Sequence, residues 1–338
     1  MDFLALDIGG AAIKAATGRG FAMSQSFPMW KAAPRLAQEL RTIIAEAPPS
    51  DHLLVTMTGE LADCFESRAA GVRFILGAVN DAADGRHTRV YRTDGKMVTP
   101  AVADRDPMSV AAANWHALAR FAARFIDSAG LSLLIDIGST TCDIIPIING
   151  EVAAAAKTDT ERLLAGELMF VGVERTPVAT IVSELPYRGQ PCPIARELFA
   201  TVRDAHLLKG NLQEDSTDTH TPDGRPATKS FARVRLGRMI CADGEDFHHR
   251  DAAVIAQAVV DAHRELVSGG IRRVLDRQEP SLSTVIFSGH GEFLARQAVE
   301  KLGLKCKYVS LLRELGPEVS RCAPAHALAV LAREAAGL

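Results

Sequence analysis

Two stretches of the chain carry the same chemical unit. LALDIGGAAIKAA occupies residues 4–16 and LLIDIGSTTCDII residues 133–145. In each, an apolar run ends in an aspartate, small residues follow, and a second apolar run begins. The two aspartates, Asp7 and Asp136, are 129 positions apart (136 − 7). A glycine turn at a strand end leaves backbone N–H groups unshielded, and such concave N–H arrays bind phosphate oxygens. Gly9 and Gly10 lack a Cβ, so a phosphate can approach their backbone closely. Gly138 offers the same, and Ser139, Thr140 and Thr141 add three hydroxyl donors. Lys14 adds a cation one strand later. Asp7, Asp136 and Asp143 would repel a phosphate unless a hard cation such as Mg²⁺ lay between, ligated by carboxylate and phosphate oxygens. Asp7 and Asp136 are the expected metal holders, directly or through water, with Asp143 beside them. One such turn alone would be read as a tight hairpin. Two copies at matching positions point to paired phosphate grips facing each other.

A third element is VIFSGHGEF, residues 285–293. A buried strand ends in Gly289-His290-Gly291 and a helix begins at once. The helix N-terminus can face an anion, and Gly289 and Gly291 allow close approach to a planar ring.

The elements that must hold these residues follow from hydrophobic periodicity. Strands are expected over 2–7, 12–17, 21–27, 52–57 and 88–92, and helices over 33–47, within 59–80, and over 107–129, opened by Pro107. The pattern then restarts with strands over 131–137, 141–148 and 151–157, Asn149-Gly150 forming a hairpin turn. Residues 158–250 read as an irregular insertion. Helices over 248–267 and 270–277, a strand over 283–288, a helix over 292–302, a strand over 305–309 and a helix over 324–336 complete the chain. This is a long two-unit repeat of α/β type. The first unit covers 1–129 and the second 130–338, with the closing helix expected to pack back on the first. A ligand is expected between the units.

Bulk properties narrow the class. The chain has 338 residues, 47% hydrophobic and 23% charged, enough to bury a core. A net charge of −3 gives no general attraction to nucleic acid or to an anionic membrane. Six cysteines without C-x-x-C spacing read as reduced thiols. The first residues lack a basic segment and are interrupted by Asp2 and Asp7, so no signal peptide is expected. A cytoplasmic protein is the resulting expectation.

The motif order strand–DIGG–hairpin, DIGSTT-x-D–hairpin, strand–SGxG–helix resembles the acetate kinase, sugar kinase, Hsp70 and actin superfamily. That resemblance implies two ribonuclease-H-like domains with a central ligand cleft, Gly9-Gly10 and Gly138–Thr141 as phosphate loops, and Gly289–Gly291 as an adenosine-type loop. DIGSTTCDIIPI, VTMTGELAD (55–63), GELMFVGVERTPV (166–178) and TDTHTPDGRPATKSFARVRLGRMICAD (217–243) resemble the hydantoinase/oxoprolinase-related branch. Within it they are most similar to proteins of tetrahydromethanopterin-linked C1 transfer, whose archaeal relatives make a methanofuran precursor. The resemblance implies a transferase that joins an aminomethylfuran methyl diphosphate to the phenol of a γ-glutamyl-tyramine or tyrosine acceptor, with Mg²⁺ assisting the release of diphosphate. The alternatives are an ATP-dependent small-molecule kinase or a hydantoinase-like hydrolase with ATP or ADP in the cleft, or a nucleotide-bound sensor without turnover. Partners are then the diphosphate and the phenolic acceptor, without nucleic acid or membrane, and a homodimer is compatible. Glu60 is a candidate base for the phenol. Glu167 and Arg175 are candidate substrate contacts, Arg175 through a carboxylate or phosphate, with a structural salt bridge as the alternative.

Other residues read more plainly. Cys142, where the pattern leads one to expect a third Thr, is expected to pack. Trp30 and Trp115 are expected in the core. His248-His249 and the neighbouring acids fit a solvated helix start. Asp204, His206, Asp215, Asp218, His220 and Asp223 fit a polar surface loop, with a second metal site or a substrate lid as the alternative.

Overall fold

The computed structural model describes residues 1–126, 129–279 and 281–338. The first unit is built on β1 (Phe3–Ile8), β2 (Ala12–Ala16), β3 (Ala22–Ser26), β4 (His52–Met57), β5 (His87–Tyr91) and β6 (Met97–Val98), in the order β3-β2-β1-β4-β5-β6. The second holds β7 (Leu131–Ile137), β8 (Cys142–Ile148), β9 (Glu151–Val152) and β10 (Leu168–Met169). A two-stranded hairpin apart from both sheets, β11 (Glu184–Tyr187) with β12 (Gln190–Pro193), precedes β13 (Leu282–Ser288) and β14 (Lys307–Ser310). The second sheet runs β10-β8-β7-β13-β14, with β9 on β8.

The two sheets repeat one construction. A strand turns back on itself as an antiparallel hairpin, and a parallel strand from later in the chain adds on its other side: β4 beside β1, β13 beside β7. All six residues of β1 are buried, and so are six of the seven in β7. Strands covered on both faces show continuous apolar runs instead of alternation.

Helices Leu36–Glu46 and Arg68–Ala82 pack Leu40, Ile43, Val72 and Ile75 against the first sheet. Helices His249–Leu275 and Glu292–Lys301 do the same for the second through Val267, Ile271, Leu294 and Ala298. Two helices serve both sheets. Asn114–Ala122 gives Ala117 to the first and Trp115, Leu118 and Phe121 to the second. The closing helix Ala323–Ala335 sets Leu328 and Ala329 against Phe3, Ala5 and Leu54, and Ala323 and Ala327 against Ile145 and Ile286. The cleft lies over this shared seam.

Several expectations change. The strand over 151–157 is only Glu151–Val152. The helix over 107–129 begins only at Asn114, because Ala112 takes a left-handed φ of 46° after the single turn Pro107–Ser109; its positions 127–128 lie outside the described residues. The insertion 158–250 is ordered: it holds helices Asp159–Ala165, Val202–Leu208 and Lys229–Arg238 and a core of its own around Leu185, Val202, Leu236 and Phe247. The helices over 248–267 and 270–277 are one, His249–Leu275. Gly269-Gly270 does not break it, because tertiary packing outweighs weak propensity. Gly270 is buried where a Cβ would collide with Met169 Sδ and come within 3.0 Å of Ile144 Cδ1, whereas Gly269 faces open space.

The adjacent glycines therefore have opposite expectations. Gly269→Ala should stabilise the protein by about 0.5–1 kcal/mol, the helix-propensity gain. Gly270→Val should cost about 1–3 kcal/mol through overpacking. Urea denaturation of both variants checks the pair, and equal signs would contradict the packing described.

Candidate active site in the inter-lobe cleft

Each hairpin turns at the same four-residue step. Gly9 N–H donates to Ala12 O at 3.0 Å and Gly138 N–H to Thr141 O at 2.9 Å, the second turn lying 129 positions after the first (138 − 9). A Cβ on Gly9 would sit 2.8 Å from Ala12 O, so this turn requires glycine. Both turns open onto one cleft of about 610 Å³. Asp7, Gly9, Gly10 and Lys14 line it from the first lobe; Asp136, Gly138, Ser139, Thr140, Thr141 and Asp143 line it from the second.

Strand register decides what faces each aspartate. Asp7 lies opposite Lys14 on β2, and Asp136 lies opposite Asp143 on β8. The corresponding position is thus a cation in one unit and an anion in the other. Burial raises the pKa of Asp7, only partly opposed by Lys14. Burial, and then the Asp143 charge, push Asp136 to about 6. Asp7 Oδ1 is buried and has no hydrogen-bond partner among the described residues. Two desolvated carboxylates at one site, one with an orphaned oxygen, form a hard-oxygen donor set suited to Mg²⁺. No cluster of three or more metal-ligating side chains occurs among the described residues.

Asp143 is already engaged. Arg162 Nη2 donates to Asp143 Oδ1 at 2.7 Å and to Glu167 O at 3.1 Å, and the guanidinium lies 4.1 Å from the centroid of Trp115. Arg162 is only 1% exposed. Its helix, Asp159–Ala165, starts on a capping box in which Thr158 and Glu161 satisfy each other's backbone N–H groups, and ends at Gly166 with φ 71°. Sequence reading missed Arg162, although the T-x-x-E signature at 158–161 locates that helix start.

Two contacts join the lobes across the cleft. Arg68 Nη2 lies 3.0 Å from Glu60 Oε1 in its own lobe and 3.0 Å from Asp159 Oδ2 in the other. The Arg175 guanidinium sits 4.5 Å from the centroid of Trp30. Arg175 and Trp30 both line the cleft, and no carboxylate pairs with Arg175 among the described residues. Trp30 is half-buried on the wall, not in the core. Trp115 is buried yet shows one edge to the cleft.

Several expected residues lie elsewhere. Glu60 does not line the cleft: it is 1% exposed and held by Arg68, and burial raises its pKa to about 7. Glu167 is likewise withdrawn; its Oε1 accepts from Ala155 N–H at 2.7 Å, which ties down the chain after β9. Gly289 and Gly291 pack the β13 turn onto β7. A Cβ on Gly289, whose φ is 80°, would lie 2.8 Å from Asp136 Oδ1, and one on Gly291 would strike Ile137 and Val173. Gly289 lines a second hollow of about 520 Å³ with His290, Arg296, Arg313 and Arg321. His290, paired with Glu174 at 3.1 Å, stands at its edge. Cys142 is fully buried in the second core.

Of the insertion's polar residues, Asp215, Asp218, His220 and Asp223 lie in an irregular segment with Asp215 and His220 exposed, as expected of a polar surface loop, while Asp204 and His206 are buried on the helix Val202–Leu208. Asp204 and Asp223 clamp the fully buried Arg235 at 2.7 and 3.0 Å, and Asp218 pairs with Arg203 at 2.6 Å. Asp215 accepts from Thr217 N–H, and His220 pairs with Asp218. Buried His206 bonds His263, with desolvation lowering its pKa to about 3. His248 and Asp251 form a capping box for the long helix.

A raised carboxyl pKa favours the native state only while the group is protonated, so stability falls as pH rises from the unfolded value toward the folded one. For Asp136 that window runs from about 4 to about 6. In metal-free buffer, Asp136→Asn should therefore be more stable than wild type by about 1–3 kcal/mol at pH 7.5 and no more stable at pH 4. Denaturant titrations at the two pH values check this.

The hydantoinase/oxoprolinase family model matches residues 53–335. The chain is 32% identical over 331 residues to the (4-{4-[2-(gamma-L-glutamylamino)ethyl]phenoxymethyl}furan-2-yl)methanamine synthase of Methanocaldococcus jannaschii, covering 97% of this chain and 96% of that one. Among solved structures, nucleotide-free acetone carboxylase superposes with a TM-score of 0.58 at 10% identity over 97% of this chain and 70% of its own. A ROK family glucokinase from Streptomyces griseus, in complex with glucose and AMPPNP, gives 0.50 at 13% identity over 99% and 100%. Likeness at these identities speaks for the fold, the two-lobed α/β architecture of the actin, Hsp70 and sugar-kinase type. The chain is an enzyme that belongs to the hydantoinase/oxoprolinase family.

Proposed function

We propose that the enzyme is a transferase of methanofuran-type carrier biosynthesis. It would join an aminomethylfuran methyl diphosphate to the phenol of a γ-glutamyl-tyramine or tyrosine acceptor and release diphosphate. The observation that carries this is the composition of the cleft. Two glycine turns and the desolvated carboxylates Asp7 and Asp136 line it together with Trp30, Trp115, Leu61, Leu168 and Phe170, which supply aromatic and apolar surface. The turns suit a diphosphate and the apolar surface suits flat rings. The synthase of M. jannaschii, similar along nearly the whole chain, is named for an aryl furylmethyl ether.

In this reaction the carbon–oxygen bond to diphosphate breaks and the phenol oxygen forms the ether bond. The phenolic proton leaves to water or to the departing diphosphate. The electron-rich furan spreads the positive charge that develops on its methylene carbon. The protein's task is then to hold the leaving group and exclude water. The N–H groups of the Gly9 and Gly138 turns, with the hydroxyls of Ser139, Thr140 and Thr141, would receive the diphosphate oxygens. Lys14 adds positive charge beside Asp7. Mg²⁺, held by Asp7 and Asp136 directly or through water, would supply charge neutralisation of the leaving group. Trp30 under Arg175 offers a platform for the phenol ring. Glu60 is too deeply withdrawn to take the phenol proton itself; its bond to Arg68 makes it an orienting group for Asp159 at the cleft wall.

The test is product analysis with purified protein. Diphosphate should appear only when a furylmethyl diphosphate and a phenolic acceptor are both present, together with Mg²⁺. Chelation should abolish its release and added Mg²⁺ restore it. Asp136→Asn should lower kcat by about 100-fold or more, the scale for losing a group that stabilises developing charge. Steady conversion of ATP to ADP and phosphate without a furan substrate would overturn the reading in favour of a kinase-like or hydrolase chemistry.

A further inference from the structure

The cleft contains five aspartates, and four have a function in the arrangement above. Asp7 and Asp136 form the desolvated pair, Asp143 is held by Arg162, and Asp159 by Arg68. The fifth is Asp63. It lines the same cleft, is exposed, and has no ion-pair or hydrogen-bond partner among the described residues. It closes the VTMTGELAD motif, residues 55–63, whose Thr58, Leu61 and Ala62 also line the cleft. Its position is fixed: Gly59 N-terminal to it starts a tight turn, Ala62 N–H donates to Gly59 O at 3.1 Å, and the thiol of Cys64 reaches Met29 O at 3.6 Å. Met29 adjoins Trp30, which lines the same cleft. Leu61 and Phe170, 48% and 46% exposed, add apolar surface to it.

We infer that Asp63 is the specificity residue for the donor, binding the primary ammonium that an aminomethylfuran carries at the far side of its ring. This rests on the reaction proposed above. The cleft's cations all lie elsewhere in the arrangement: Lys14 faces Asp7, Arg162 holds Asp143, and Arg175 covers Trp30. An alkylammonium entering the cleft therefore finds in Asp63 a solvent-exposed carboxylate with no cation beside it, whereas Asp7 and Asp136 are desolvated. Leu61 and Phe170 line the same cleft and offer apolar surface for a ring. The donor has opposite charges at its two ends, ammonium and diphosphate, and the cleft holds both a carboxylate without a partner and the N–H groups of the glycine turns. A charge-assisted hydrogen bond of this kind discriminates strongly against a neutral analogue.

The experiment compares two donors, the aminomethylfuran methyl diphosphate and the same compound with methyl in place of aminomethyl, on wild type and on Asp63→Asn. Wild type should prefer the amine by roughly tenfold in kcat/KM. Asp63→Asn should lose most of that preference, mainly through KM for the amine donor, while its turnover of the methyl analogue and its unfolding midpoint stay near wild type. Equal loss with both donors, or no loss with either, overturns the assignment while leaving the reaction intact. Absence of turnover with either donor in wild type overturns the reaction and the assignment together.

Discussion

Two desolvated carboxylates facing one cavity, Asp7 buried and Asp136 partly buried, set the terms for the rest of this structure. Asp7 and Asp136 stand at the ends of the most deeply covered strands of their sheets, where desolvation raises both pKa values. A fold built for stability alone would replace them, because an unpaired buried charge costs more than an apolar residue of similar size. Their place at corresponding ends of a duplicated hairpin is what the proposed diphosphate site rests on. Both turns present unshielded N–H groups there, and the shared helices Asn114–Ala122 and Ala323–Ala335 keep the two strand ends converging on one space.

The repeat also shows how one backbone device acquires two characters. Position by position the hairpins match, down to the N–H bond that closes each turn. The residue across from the aspartate differs: Lys14 in one, Asp143 in the other. The first turn thus carries a balanced pair, and the second would carry two adjacent negative charges. Arg162, brought in from the helix that follows β9, supplies the missing charge to the second and is itself stacked on Trp115. The insertion that looks peripheral in the sequence therefore begins by completing the site.

What could be read in the sequence follows from what is local. The strand–aspartate–glycine units, the Asn149-Gly150 turn and the β13 turn are fixed by residues within a few positions of each other, and the structure has them where periodicity and turn chemistry put them. Placements that depend on distant partners were not legible. Glu60 and Glu167 have the residue types of a site but are drawn inward by Arg68 and by the Ala155 backbone. Trp30 has the type of a core residue, yet Arg175, 145 positions later (175 − 30), holds it on the cleft wall. Gly269-Gly270 has the composition of a helix end, yet Met169 and Ile144 need the space that Gly270 leaves, and the helix runs through. The acids of the insertion read as a surface loop, yet Asp204 is drawn inward by Arg235, 31 positions later (235 − 204).

The charges along the cleft alternate from Glu60 through Arg68, Asp159 and Arg162 to Asp143, beyond which Asp136 is a second anion. The links differ in strength because their exposure differs. Arg162 with Asp143 is nearly excluded from water, so breaking it would strand a buried charge. Arg68 with Asp159 is 20% and 13% exposed, closer to the surface, where an ion pair is worth less and is screened by salt. The weak link is the one that crosses between lobes, and the strong ones lie within a lobe.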